Sequence, residues 1–313
     1  MATKRRQFLS GLLISALFVL FIEWYLGWKP LLKPWLSVEP IPLGAATLLL
    51  LLSYTLRSIR LYHYFGSEVA GRFTLCLRLM LQHNLYNNLL PMRSGELSFP
   101  ILMQRYFSIT PIRSVPALMW FRILDLHTLG LLALPTLIPA LLNWPATLAL
   151  CALWLLIPPL IYLWQANLEA WLVKHRQKRV AGFAHRLTEG LPRTSTQFFT
   201  SWGWTLANWS VKLLVFAWIL RLFLEVPWLT ALLGVIGGEL TSVLPVHGLA
   251  GMGTYEAGIM AALLPLGIVA ESALHGAVNL HLFLLAASLI GGMLTWLIPS
   301  RSKQTESVHG SLP

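Results

Sequence analysis

Apolar runs of about twenty residues, the length that crosses the hydrocarbon of a bilayer, recur along the chain at 8–26, 43–65, 114–142, 146–165, 197–223 and 272–298. Two further apolar stretches are interrupted. The stretch 73–113 carries Arg78, Gln82, His83, Asn84, Asn87 and Asn88, then breaks at Leu90-Pro91-Met92-Arg93-Ser94-Gly95-Glu96. The stretch 228–268 breaks at Leu244-Pro245-Val246-His247-Gly248, followed by Gly251, Gly253 and Glu256. Each interruption is a Leu-Pro step, then glycine-bearing backbone, then a carboxylate. In lipid, a broken helix leaves main-chain N–H and C=O groups that only protein or water can satisfy. Paired breaks of this kind point to the working part of a transporter-like fold.

The pattern predicts an all-α, polytopic membrane protein. It has about six full spans plus two re-entrant or broken helical hairpins, at about 73–113 and 228–268, in an inverted-repeat-like arrangement. Residues 1–299 are expected to form a single transmembrane domain, with a basic loop at about 166–195 and a polar tail at 300–313. The run 8–26 follows Lys4-Arg5-Arg6 and has no small-x-small cleavage site, so it reads as a signal anchor.

Composition agrees. The 313 residues are 56% hydrophobic and 11% charged, against about 25% charged in a soluble domain. A net charge of +11 raises nucleic acid as a partner. The basic residues, however, sit in short segments between spans: Arg57, Arg60 and Arg72, then Lys174, Arg176, Lys178, Arg179, Arg186 and Arg193, then Arg301 and Lys303. That is the positive-inside distribution. It excludes nucleic acid and predicts that both termini are cytoplasmic, with a bacterial-type inner membrane as the expected location. The basic loop also suits anionic lipid headgroups. The two hairpins then enter from opposite faces. Their charges differ too: Arg78, Arg93, Arg105 and Arg113 accompany Glu96 in the first, whereas 222–300 holds four glutamates and no Lys or Arg.

Cys76 and Cys151 both lie in apolar sequence, with no Cys-x-x-Cys or His/Cys group. No disulfide framework, metal site or cofactor is expected. No nucleophile–base spacing suggests an enzyme.

The candidate substrate-binding residues centre on the first break. Pro91 disfavours helix at Leu90, and Ser94 with Gly95 is a plausible start for a new helix, with Ser94 as its N-cap. Free N–H groups at a helix start favour an anion, and Arg93 adds a guanidinium suited to phosphate. Glu96 stands ready to hold Arg93, and Asn84 and Asn88 lie on the approach. In the span 114–142, Arg122 and Asp125 are three residues apart and share a helix face. Ionisable groups inside a span usually mark a pathway; the alternative is a structural ion pair. In the second break, Gly251 and Gly253 permit left-handed backbone. Glu239, His247 and Glu256 around it are candidates for coupling or gating by proton binding.

Taken in order, Leu90-Pro91 with Arg93 and Gly95-Glu96, Arg122 with Asp125, and Leu244-Pro245 with Gly251, Gly253 and Glu256 resemble the lysylphosphatidylglycerol synthase transmembrane-region family. The resemblance spans about 8–298. One position departs: that family commonly carries Glu directly before the arginine of the fourth span, and this chain has Phe121. The resemblance implies a multi-pass fold with re-entrant helices and lipid translocation. The chain ends at Pro313, where larger members continue into a soluble aminoacyl-transferase domain, so a synthase activity is not expected. The expected substrate is a lipid with an anionic headgroup, a phospholipid or a polyprenyl-phosphate-linked lipid. The alternative is a non-transporting membrane partner for a glycosyltransferase or lipid-modifying enzyme. Pairs such as Gly234 and Gly238 serve helix packing within one chain or between chains.

Overall fold

The computed structural model describes residues 2–137, 143–164, 191–241 and 249–300. Among them there is no strand. The helices are α1 (Ala2–Tyr25), α2 (Trp28–Leu32), α3 (Pro40–Phe65), α4 (Phe73–Leu89), α5 (Ser98–Phe107), α6 (Pro111–Leu137), α7 (Trp144–Leu155), α8 (Ser195–Phe223), α9 (Trp228–Thr241), α10 (Thr254–Leu263) and α11 (Ala270–Leu294).

Among the described residues, six helical stretches are long and apolar enough to cross a membrane: Pro40–Val69, Pro111–Pro135, Trp144–Trp164, Ser195–Phe223, Leu249–Leu266 and Ala270–Leu297. The all-α multi-pass class is therefore established. Two details differ from the sequence pattern. The first apolar run does not stay straight into its proline-rich follow-on. Leu12–Tyr25 and Trp28–Leu36 meet at 89°. Gly27 takes φ +73 at the corner, where the N–H groups of Leu26 and Gly27 both reach the Ile22 carbonyl, a glycine-terminated helix end. Within the second hairpin, α10 with its flanking 3-10 turns reaches span length, while α9 has 14 residues and does not. In the first hairpin neither α4, with 17 residues, nor α5, with 10, reaches it.

The chain divides into two compact units. One comprises Met1–Ser53, His83–Glu96 and Ser210–Met293. The other comprises Tyr54–Gln82, Leu97–Trp209 and Leu294–Pro313.

In the first unit, α11 is the central element. Across its most apolar 18 residues 61% are buried, against 11% for the span Trp144–Trp164. Ile22 and Leu31 close on Leu274 and Val278. Asn279 is fully buried and ties in the bent pair, accepting from Trp35 Nε1 at 2.6 Å and donating to the Leu31 carbonyl at 3.2 Å. The helices α9 and α10 touch through glycine. A Cβ on Gly258 would meet the Gly237 carbonyl and Thr241 Cγ2, both at 2.5 Å, so neither partner tolerates a side chain there. Gly234 abuts Leu263, and Gly238 abuts Ile259 and Tyr255. The small-residue spacing thus packs helices within the chain.

In the second unit an aromatic core holds α3, α5, α6 and α8 together. Trp120, Phe121, Phe99, Tyr64, Phe65 and Phe198 are all buried in it. Phe121 meets Tyr64 edge-on at 4.8 Å, and Trp120 Nε1 donates to Ser201 Oγ at 3.2 Å. The His127 ring stacks on Trp154, hydrogen-bonded to its carbonyl at 2.9 Å; this histidine serves packing. Outward positions of the spans, such as Leu148, Leu153, Leu160 and Leu163, remain exposed and apolar, as a lipid-facing surface requires.

Candidate functional site

The first break is not an open loop. After α4 ends at Leu89, Pro91–Leu97 forms a 3-10 helix that runs directly into α5. Leu97, without a side-chain cap, occupies the N-cap position of α5. Ser94 therefore lies within the 3-10 turns and does not start the helix as its spacing suggested. The physical reason is the missing proline N–H. The chain can keep tight i→i+3 turns past Pro91, where an α-helix would clash. Gly95 explains why the turn is so compact. A Cβ there would overlap the main chain of Tyr86 and Asn87, so this position must be glycine. Glu96 comes within 4.0 Å of His83 Nε2. The Arg93 side chain lies outside the described residues, so its expected pairing with Glu96 does too. Asn84 and Asn88 turn toward α11, where both amides face Ser288 Oγ, at 3.5 and 2.7 Å.

The second break is described from Leu249 onward; Leu244, Pro245 and His247 lie outside the described residues. From Ala250 to Gly253 the main chain is repeatedly left-handed, with φ 57 at Ala250, 79 at Gly251 and 85 at Gly253. Ser15 of α1 holds the entry, accepting from the Leu249 N–H at 2.6 Å. Glu256 holds the exit: its Oε2 accepts the Gly253 N–H at 2.8 Å and so caps α10.

The other Glu256 oxygen meets a residue that the sequence did not single out as a site. His281 Nδ1 lies 2.6 Å from Glu256 Oε1, both side chains almost wholly buried. The His281 ring also packs at 4.7 Å from the Tyr255 ring and hydrogen-bonds to the main chain of Ala250. Tyr255 OH makes a long 3.5 Å contact to Glu239 Oε1. Glu239 Oε2 in turn accepts from Lys212 Nζ at 2.8 Å. Four helices, α8 to α11, thus bring Lys212, Glu239, Tyr255, Glu256 and His281 into one buried polar chain.

The second unit holds a different group. Arg122 Nη1 reaches Asp125 Oδ2 at 3.2 Å, the expected pair on one helix face. It is not alone. Arg60 Nη1 lies 2.8 Å from Asp125 Oδ1 and also donates to Thr205 Oγ1 at 2.7 Å. Trp209 Nε1 donates to the same Oδ1 at 3.1 Å. Arg57 acts on Asp125 electrostatically as well. Arg60 is 3% and Asp125 4% exposed. The Arg60 guanidinium lies 4.4 Å from the centre of the Phe121 ring, a favourable cation–π distance. At the position where the resemblance expected glutamate, a ring face now supports Arg60. Arg57 and Arg60, expected at the charged end of the span 43–65, stand in the last turns of α3, and Arg60 faces α6 and α8. The signal was present: both fall five or more residues before the helix ends at Phe65.

His83–Glu96 belongs to the same compact unit as α9 to α11, and its printed link there is Asn88 to Ser288 of α11. Arg122 and Asp125 belong to the other unit. The basic loop expected at 166–195 lies almost wholly in the undescribed 165–190.

These features define a polytopic helical membrane protein with ionisable side chains inside its spans. The sequence profile described as lysylphosphatidylglycerol synthase TM region matches residues 8–292, and the chain belongs to that family. No curated protein and no solved structure matches it.

Proposed function

We propose that the protein moves an amphipathic lipid with an anionic headgroup, a phospholipid or a polyprenyl-phosphate-linked lipid, from one face of the membrane to the other. The observation that carries this reading is the group of guanidinium ions around Asp125 within α3, α6 and α8. Charged side chains inside spans are expensive and face interiors or pathways. Guanidinium groups match phosphate geometry better than any other side chain. A buried carboxylate shared by Arg60 and Arg122 serves as the internal stand-in for that phosphate. It keeps the arginines in place when no lipid is bound and yields Arg122, the more exposed of the two, to the incoming headgroup. The loop charges support cytoplasmic termini, so the headgroup is offered from the cytoplasmic side.

The test is movement of a fluorescent phosphatidylglycerol between leaflets of vesicles that contain the purified protein. The wild type should move it faster than protein-free vesicles do. Arg122→Gln should remove most of that acceleration with the fold intact by circular dichroism. An Arg122→Gln protein that moves the lipid at the wild-type rate defeats the assignment.

A further inference from the structure

We propose that the buried Glu256–His281 pair is a proton-binding site that couples lipid movement to a proton gradient. The proposal rests on the translocation reading and adds its energy source.

The argument begins with charge. Lys212 and Glu239 form an ion pair at 2.8 Å and cancel. Glu256 with a neutral His281 leaves one negative charge among the four groups, inside a bundle where an uncompensated charge is costly. One proton on the pair brings the four to neutrality. The 2.6 Å separation of Nδ1 and Oε1 lets imidazole and carboxylate share that proton in a single short hydrogen bond.

The surroundings hold the pair in register. The helix α10 contributes Tyr255 beside the ring, α9 contributes Glu239 to Tyr255, and α8 contributes Lys212 to Glu239. Ser15 and Phe18 of α1, which do not titrate, meet the left-handed segment at Leu249 and Gly253. The next histidine on α11, His275, is hydrogen-bonded to Asn279 and is no part of the pair.

The location makes the proton consequential. Glu256 is simultaneously the cap of α10, through the Gly253 N–H. The His281 ring lies against Gly251, 3.6 Å from where a Cβ would stand. Loss of the proton leaves Glu256 charged beside a neutral ring, weakening the bond that ties α11 to the start of α10. The left-handed segment Ala250–Gly253 then keeps Ser15 at its entry and Glu256 at its exit, with a looser hold from the His281 ring beside Gly251. The proton arrives from water on one face and leaves to water on the other, with no other bond made or broken.

The experiment uses the full chain in vesicles carrying fluorescent phosphatidylglycerol, with a pH gradient of one unit imposed and protein-free vesicles as background. One proton per lipid makes that gradient worth about tenfold in the leaflet ratio at steady state. The wild type should show this asymmetry, and an ionophore should erase it. Glu256→Gln and His281→Gln should leave the lipid evenly distributed; His275→Gln should retain the asymmetry. An even distribution in the wild type, or a full response in Glu256→Gln, overturns the proposal. If the wild type moves no lipid under either condition, the translocation reading fails, and nitrogen NMR of the His281 ring in detergent judges the proton site separately. The expected result is imidazolium at neutral pH in the wild type and neutral imidazole in Glu256→Gln. A neutral wild-type ring, or identical rings in the two proteins, overturns the site.

Discussion

The Asp125 group and the Glu256 group bury charge in the same kind of helical surroundings and with opposite composition. Around Asp125, two arginines converge on one carboxylate. Around Glu256, two carboxylates are matched by one lysine and a histidine whose charge depends on a proton. Both satisfy the rule that buried charge must be paired. They differ in what would complete them. The first suits an anion, because Arg60 and Arg122 direct guanidinium groups at one shared carboxylate site. The second suits a cation as small as a proton, because its charge closes only when His281 is protonated. Burial alone does not identify a functional group; the chemistry of its partners does.

The comparison breaks first at Asp125. Its removal by Asp125→Ala takes away the carboxylate that the buried Arg60 shares with Arg122. It should cost about 3–5 kcal/mol of stability, the range for orphaning a buried ionic partner. Thermal unfolding in detergent reads this loss, and an unchanged midpoint would show that the group is solvated rather than buried. Next in size is Gly258→Val. It pushes α10 off the Gly237 carbonyl and should cost at least about 1–3 kcal/mol, as overpacking does. The same change should separate Tyr255 from Glu239, which ties this packing contact to the second charge group.

Lys212→Met sharpens the contrast. It should destabilise by about 1–3 kcal/mol, less than Asp125→Ala because Lys212 retains some exposure, and Lys212→Met with Glu239→Gln should recover part of the loss. Recovery measured by the same melting experiment marks a true charge coupling. Phe121→Glu places a second carboxylate beneath Arg60. If positive excess is what attracts the headgroup, movement of anionic lipid should fall by about tenfold, or about 1.4 kcal/mol, while a neutral-headgroup lipid is unaffected. The smallest effect belongs to Asn88→Ala, which removes the 2.7 Å hydrogen bond to Ser288 Oγ and should cost about 1 kcal/mol in the same melting experiment.

Some of this was legible in the sequence. Helix spans follow from run length, and the Arg122–Asp125 pair follows from i,i+3 spacing, because both depend on local geometry. Glu256 capping Gly253 is local in the same way. What the sequence hid is the set of partners that lie across helices. Arg60 is 65 residues from Asp125, and His281 is 25 from Glu256. Nothing in either stretch fixes the rotation of one helix against the next. Gly237 and Gly258 do set one such contact, yet only the structure shows which glycine meets which. Ser94 does not cap α5 because a Leu-Pro step allows a third outcome besides helix and break: a 3-10 continuation, sealed by Gly95 on the main chain of Tyr86 and Asn87.

The claim that the arginines around Asp125 hold an anionic headgroup is tested most directly by the lipid that stays with the protein. The wild type and the Arg122→Gln variant should be purified in mild detergent and their bound lipid identified by mass spectrometry. The account predicts a phosphate-bearing anionic lipid enriched over the source membrane in the wild type and returned to membrane proportions in the variant. Bound lipid of membrane composition in both proteins, or enrichment of a lipid without an anionic headgroup, would contradict it.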